Sequence, residues 1–417
     1  MFDIQSILGS FSLIFLFFIF VIYIFRKENN YIALIILIAF SLRCIFSLLQ
    51  EFYHIIPYIW DEKAFHDMSI GYFEFLFGVG QIPYDITRIN SVSSYGTFLG
   101  TIYFFFGQHP LIARLVSCIL GSSVIFLIYK LSLKLKLKTM HIYILCLIIA
   151  FTPSYIIFSG LIMRDMLIWI LTYLLIYLFY KLFQKFNIKD LIYSILIIVP
   201  LILLRKQYAP LYGLYFFIMF LLLIREKKYY FISVNINFIK YIFFVFLFSF
   251  SMYGIYSLIM YELTTWDKTE VVEYFATQMS YRAQGGTAYL QNLEYNSYFD
   301  LIKYTPIKFI YFTYGPFIWG SSNLFILLAA VENLVLWFFS ILFLSKVRYV
   351  KYIASRKNYI FFIFLFIFVF ISLLANSIID SNFGTAIRHR MVFVPIFYVL
   401  TFYLLSINKR ELSSDNK

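Results

Sequence analysis

An acidic stretch that also carries a histidine, "WDEKAFHDMS", follows the second long apolar run and contains Asp61, Glu62, His66 and Asp67. Glu62 and His66 are four residues apart, so a helix would place both on one face. Such a group could accept a proton from a hydroxyl or bind a divalent cation. A solvated amphipathic surface helix would show the same pattern, so both interpretations stay open.

A second stretch, "NFGTAIRHRMVFVP", places Arg388, His389 and Arg390 at the start of an apolar run. Charged groups there are costly unless they bind something. On a regular helix the two arginines would point about 200° apart. We therefore expect an extended entry, with the helix beginning near Met391, so that both arginines face one ligand. Alternatively, one arginine pairs with Asp380 and the other reaches lipid headgroups.

Basic residues also recur in the outer part, or at the outer end, of other apolar runs. With the pair above, the set is Arg43, Arg114, Arg164, Arg205, Lys206, Arg388 and Arg390. Arginine suits bidentate recognition of phosphate, so the set predicts an outward-facing cavity that binds a lipid-linked phosphate or pyrophosphate. The alternative is that each side chain reaches the headgroups or pairs with a local carboxylate. Asp165 is expected to neutralise Arg164, and Glu332, inside an apolar run, must be paired or face a cavity.

The composition requires elements that lie in a membrane. The chain is 62% hydrophobic and 13% charged, whereas soluble domains carry about 25% charged residues. Basic clusters between apolar runs account for much of the net charge of +13, which favours membrane topology over nucleic-acid binding. Cys44, Cys118 and Cys146 have no metal-ligand spacing and are expected to be packing residues. No phosphate-binding loop, nucleophile elbow, zinc signature or dinucleotide motif is present.

The apolar runs predict an all-α polytopic membrane protein with one transmembrane domain, 1–417, and eleven spans. The predicted spans are 6–25, 31–49, 112–130, 140–158, 163–184, 189–204, 208–224, 238–261, 323–345, 358–377 and 387–407. The basic segments, including the C-terminal tail, fall on one side, which is predicted to be cytoplasmic. Loops 50–95 and 262–306 then face the periplasm or exterior. Two shorter apolar pieces, 96–107 and 307–320, are expected to be re-entrant or interfacial helices.

Four stretches carry a resemblance to a known family. They are "WDEKAFHDMS", "FFFGQHPLIARLVSCILGSSVIFLIYKLSLKL", "PSYIIFSGLIMRDMLIWILTYLLIY" and "GTAIRHRMVFVPIFYVL", and together they cover about a third of the chain. In this order they resemble the bacterial membrane glycosyltransferases of the C-type (GT-C) superfamily. The resemblance implies that Asp61 is a catalytic base or metal ligand, with Glu62 as its substitute. It also implies that Arg388 and Arg390 hold a lipid phosphate.

The size, the composition and the two outer loops also resemble O-antigen and capsule repeat-unit polymerases. The expected function is a glycosyltransferase of the bacterial inner membrane that uses a polyprenyl-linked sugar donor at the outer face, in cell-surface polysaccharide assembly. The alternatives are a repeat-unit polymerase and a flippase for lipid-linked saccharide. The expected partners are the donor, a glycan or lipid-linked acceptor and membrane lipids, without nucleic acid. A divalent cation is the only cofactor considered.

Overall fold

The chain is all-helical in the residues that its computed structural model describes, which are 4–56, 60–81, 91–226, 271–320, 324–353 and 358–407. These residues contain no strand, and one isolated bridge joins Ala288 to Asn382. The all-α prediction is confirmed for this part of the chain. The described residues fall into two compact units, Met1–Leu178 with Ile192–Lys206 and Phe179–Leu191 with Gln207–Lys417.

The first unit contains the acidic stretch. Its helices are α1 (Ile4–Lys27), α2 (Asn30–Tyr53), α3 (Trp60–Leu76), α4 (Ser91–Phe106), α5 (Pro110–Lys134), α6 (Thr139–Phe151) and α7 (Pro153–Ser159), followed by most of α8 (Asp165–Gln184) and α9 (Ile188–Leu204). Asn29 caps α2 by accepting hydrogen bonds from two backbone N–H groups of its first turn. Pro153 has no N–H to continue α6, so the path bends by 55° between α6 and α7.

The second unit contains the arginine pair. Its helices are α10 (Ala209–Glu226), α11 (Val271–Arg282), α12 (Tyr298–Tyr314), α13 (Leu324–Lys346), α14 (Tyr359–Ile379), α15 (Phe383–Arg390) and α16 (Val394–Leu405). A break at 391–393 separates α15 from α16, and the two helices meet at 52°. Pro395 lies in the first turn of α16, where a missing N–H is tolerated.

Several of these helices could cross a membrane. Six are long and apolar enough (α1, α2, α5, α8, α13 and α14), and each bent pair, α6 with α7 and α15 with α16, could add one. A multi-pass membrane protein is therefore supported. The count of eleven is not confirmed, because α9 has 17 residues and α10 is a shorter apolar helix. The predicted span 238–261 lies outside the described residues.

The α3–α4 pair forms the frame of the acidic stretch. A Cβ atom at Gly100 would lie 2.8 Å from the Ser69 carbonyl oxygen, so only glycine allows α4 to approach α3 this closely. Phe65 meets Tyr95 edge to face, with ring centroids 4.9 Å apart. The close approach also places His66 of α3 beside Tyr103 of α4.

Candidate functional site

Arg114 joins three helices in the first unit. Its Nε donates to Glu62 Oε1 of α3 at 2.8 Å, and its Nη1 donates to Glu51 of α2. Glu62 Oε1 also accepts from the backbone N–H of Ile162 at 3.1 Å. His109 Nε2 lies 3.9 Å from the other oxygen of Glu51. Two carboxylates therefore surround one buried guanidinium, a charge-assisted arrangement that fixes both carboxylates in place.

A cavity of about 480 Å³ opens beside this junction. It is lined by Gln50, His54, Ile56, Glu62, Lys63, His66, Pro110, Arg114 and Ile162. This volume lies in the range of small-molecule sites, which is about 300–1,000 Å³. Amide, carboxylate, imidazole and cationic groups stand beside apolar side chains, so the cavity can hydrogen-bond a hydroxyl-rich ligand and also contact its C–H faces.

His66 of α3 has a buried hydrogen-bond partner on α4. Its Nδ1 lies 2.8 Å from the Tyr103 hydroxyl of α4, and the Tyr103 side chain is fully buried. Burial lowers the pKa of His66 below its ordinary value. The nearby His109 and Arg114 lower it further, against the opposing charges of Asp67 and Glu51. The imidazole is therefore neutral at neutral pH.

The two predicted catalytic carboxylates have different surroundings. Glu62 lines the cavity, whereas Asp61, half-buried in the same turn, does not. Asp67 is exposed. Among the described residues, no three His, Cys, Asp or Glu side chains are grouped to hold a metal ion. The divalent cation expected at Asp61 and Glu62 therefore has no third His, Cys, Asp or Glu ligand in this part of the chain.

Arg43, predicted to contact phosphate, lies inside the first unit with its side chain directed at backbone carbonyls. The residue is fully buried, and its Nη1 donates to Ala39 at 2.9 Å and to Ala150 at 3.5 Å. Its Nη2 donates to Ile149 at 3.4 Å. The carbonyl of Ile149 would normally accept from residue 153, which is a proline. Arg43 thus donates to the Ile149 carbonyl, which the proline after α6 leaves without its usual partner.

The other predicted cations of this unit are also engaged. Arg205 donates to Asp165, and both side chains are almost completely buried. Asp165, expected to neutralise Arg164, thus has Arg205 as a partner. The Arg164 guanidinium lies 5.8 Å from the centre of the Phe65 ring, a cation–π contact with α3.

Asp380 is the centre of a charged cluster in the second unit. One oxygen accepts from Arg282, and the other lies 2.5 Å from His389 Nδ1. Burial opposes ionisation, but the charges and hydrogen bonds of His389 and Arg282 outweigh it and hold the pKa of Asp380 well below its usual range. His389 of the "RHR" motif contacts Asp380, whereas the alternative drawn from the sequence named one of the two arginines.

Lys308 of α12 is fully buried against the segment that joins α14 to α15. Its Nζ donates to the Ile378 carbonyl at 2.7 Å and to Ser381 Oγ at 3.1 Å. Burial lowers the pKa of Lys308 to about 7, with Arg282 acting in the same direction and Asp380 opposing. Lys308 is therefore a cation that titrates near neutral pH.

The expected extended entry to the last span is wrong. Residues Phe383–Arg390 form the helix α15, capped by the Asn382 side chain, which accepts from the Gly384 N–H. Side chains two positions apart on a helix point about 200° from each other. Arg388 and Arg390, both buried, therefore do not share one face. The local reason is the cap, because asparagine favours a helix start at this position.

Arg390 binds the C-terminal end of α12. Its Nη1 donates to the carbonyls of Phe312, Thr313 and Gly315 at 2.9, 2.8 and 2.5 Å, and its Nη2 donates to Asn333 at 2.6 Å. The carbonyls of Phe312 and Thr313 belong to the last turn of α12, where they have no partner within the helix, and Gly315 is its C-cap residue. A phosphate bound by Arg390, as predicted, would have to compete with these carbonyls and Asn333 for the N–H groups of the guanidinium.

Glu332, predicted to be paired or to face a cavity, is half-buried in α13. It interacts electrostatically with Tyr398 of α16, which also lies in the field of Arg390.

The residues of these sites that were not singled out from the sequence include Glu51, Tyr103, Arg282 and Lys308. Glu51 had a usable signal, since a carboxylate directly after an apolar run requires a partner. Tyr103 had none, because it is one aromatic residue among many in "TIYFFFG".

Comparison with known protein families, with curated proteins and with solved structures gives no match for this chain. The residues described above therefore carry the functional interpretation by themselves.

Proposed function

We propose that this chain is a membrane glycosyltransferase that uses a polyprenyl-phosphate- or polyprenyl-pyrophosphate-linked sugar donor. It acts at the outer face of a bacterial inner membrane, in the assembly of cell-surface polysaccharide. The observation that carries the proposal is the cavity of about 480 Å³ in which Glu62, His66, Lys63 and Arg114 meet. The cavity adjoins α2 and α5, two helices long and apolar enough to cross a membrane.

The chemistry of the lining suits a sugar. Glu62, Gln50 and His66 supply acceptors and donors for hydroxyl groups, and Ile56 and Pro110 supply apolar surface for the face of a sugar ring. Most of these groups are held by α2, α3 and α5 rather than by loops, which keeps a reacting ligand oriented.

We assign binding of the donor phosphate to cations near the same cavity. Lys63 lines it, and Arg164 lies two residues beyond the lining residue Ile162. Arg114 contributes less to anion binding because Glu51 and Glu62 already offset its charge. We therefore assign phosphate binding to Lys63 and Arg164 rather than to Arg43, Arg205 and Arg390.

The test uses the purified full chain in lipid vesicles with a panel of polyprenyl-phosphate- and pyrophosphate-linked sugars. Transfer is measured as release of the polyprenyl phosphate together with glycosylated acceptor. We expect Glu62→Gln to lower the rate by about 10², because it removes a cavity carboxylate that holds Arg114 in position. Glu74→Gln is the matched control, since Glu74 is exposed on the same helix. Thermal unfolding of each variant reports whether it is folded.

Transfer from none of the donors, or an unaltered rate in a folded Glu62→Gln variant, would refute the proposal. A product ladder of whole repeat units would identify a polymerase. Movement of an intact lipid-linked saccharide across the vesicle would identify a flippase.

A further inference from the structure

The cavity is lined by the imidazole of His66, which is better placed to accept a proton than the carboxylates of Asp61 and Glu62. We infer that His66, oriented by Tyr103, accepts the proton of the attacking hydroxyl during glycosyl transfer. This inference rests on the proposed function and names the group that performs its central step. It replaces the role expected for Asp61 and Glu62.

The carboxylates are disfavoured by their contacts. Glu62 Oε1 already accepts from Arg114 Nε and from the Ile162 N–H. A proton arriving on Glu62 would weaken these bonds and leave a buried guanidinium with one carboxylate fewer. Asp61 does not line the cavity. A base must lie within hydrogen-bond reach of the hydroxyl that it serves.

His66 meets both requirements. It lines the cavity, and Nδ1 is held 2.8 Å from the Tyr103 hydroxyl. In the tautomer in which Nδ1–H donates to Tyr103 Oη, the other ring nitrogen, Nε2, has a free lone pair. His54, the second imidazole of the lining, is exposed at the end of α2. The inference assigns this tautomer and makes Tyr103 a positioning residue.

Burial lowers the pKa of His66, so the neutral form that a base requires prevails at neutral pH. The charged groups that face His66 come from each neighbouring element. They are Asp67 of its own helix, Glu51 of α2, and His109 and Arg114 of α5, with the Tyr103 phenol of α4 at Nδ1. Burial raises the pKa of Tyr103 well above its ordinary value, so this phenol keeps its proton.

The step balances without a further reactant. The acceptor oxygen forms a bond to the anomeric carbon of the donor sugar, and the bond from that carbon to the phosphate oxygen breaks. The electron pair of the broken bond leaves on the phosphate. The proton of the attacking hydroxyl moves to His66 Nε2 and is later released to water.

The inference is tested with His66→Gln and Tyr103→Phe in the full chain, assayed by sugar transfer as above. For His66→Gln we expect kcat to fall by about 10²–10⁴ with little change in the KM of the donor. The acid limb of the pH–rate profile, set by His66 in the unaltered chain, should disappear. His141→Gln, a change at the N-terminal end of α6 away from the cavity, is the matched control.

Tyr103→Phe separates orientation from mere packing. An oxygen that accepts from Nδ1–H stabilises the imidazolium more than the neutral imidazole, so its loss lowers the pKa of His66. The acid limb should therefore move to lower pH, and kcat should fall by about tenfold. A move to higher pH would mean that Tyr103 donates to Nδ1 and that Nε2 carries the proton, which would overturn the inference. The limb can be read independently of transfer from the pH dependence of His66 carbethoxylation by diethylpyrocarbonate, located by mass spectrometry.

The outcomes distinguish the two proposals. Transfer by the unaltered chain and equally by a folded His66→Gln variant overturns the inference alone. Absence of transfer by the unaltered chain overturns the proposed function and the catalytic role of His66 with it.

Discussion

Replacing Arg390 tests whether its main role is to hold helix ends together or to bind phosphate. Its guanidinium makes four hydrogen bonds, to three carbonyls at the end of α12 and to Asn333. Hydrogen bonds from a charged donor contribute about 1.5–3 kcal/mol each. A lysine ammonium at the same place would reach about two of the four acceptors. Because contributions are not additive, we expect Arg390→Lys to lower the free energy of unfolding by about 3 kcal/mol. Arg390→Met should lower it by about 3–5 kcal/mol.

The assay is thermal unfolding of the purified chain in detergent, with donor binding measured on the same samples. Arg348→Lys is the control, since Arg348 is exposed and its guanidinium lies 5.2 Å from the centre of the neighbouring Tyr349 ring. An unfolding temperature of Arg390→Lys equal to that of the control would refute the structural role. A sharp loss of donor affinity with unchanged stability would restore the phosphate role. Unchanged donor affinity in both Arg388→Lys and Arg390→Lys would remove that role from the pair.

Two further predictions concern pH and topology. The pKa of Lys308 is lowered to about 7 from 10.5, so above pH 7 the unfolded chain binds more protons than the folded chain, and stability should rise with pH. The unfolding temperature should therefore increase from pH 7 to about pH 9 by more in the unaltered chain than in Lys308→Met, and equal slopes would contradict the burial of this charge. In a chain without its native cysteines, Gly286→Cys should react with a membrane-impermeant thiol reagent in intact cells and Lys138→Cys should not. The reverse pattern would overturn the orientation predicted from the basic clusters.

The helices could be predicted because their signals are local. The predicted spans 6–25, 31–49, 112–130, 163–184, 323–345 and 358–377 each coincide with one long helix. A run of apolar residues long enough to cross a bilayer specifies a helix whatever its neighbours are. The bends were less visible. The predicted span 140–158 is divided at Pro153, and 387–407 begins inside a separate short helix.

The partners of the charged residues could not be predicted, because they depend on which helix ends meet in space. Two of the arginines expected to bind phosphate, Arg43 and Arg390, donate to backbone carbonyls. Every residue has a carbonyl, so no residue type in the sequence marks such an acceptor. Glu62 could be singled out from the sequence as part of an acidic stretch, but its pairing with Arg114 joins residues 52 positions apart. The orientation of His66 depends on Tyr103, which lies 37 positions further along the chain and on another helix.

The contact between Arg43 and the end of α6 has a consequence for biosynthesis. Arg43 lies near the middle of α2, and two of its acceptors, on Ile149 and Ala150, are 106 and 107 residues further along the chain. At about 5–20 residues per second, α2 leaves the ribosome roughly 5–20 s before these acceptors. An arginine at the centre of an inserted helix costs about 2.5–3.5 kcal/mol. Within α2 itself, the Arg43 guanidinium donates to the carbonyl of Ala39. The final surroundings of Arg43 are therefore complete only after α6 has been synthesised, so the packing of α2 against α6 is settled well after α2 itself is made.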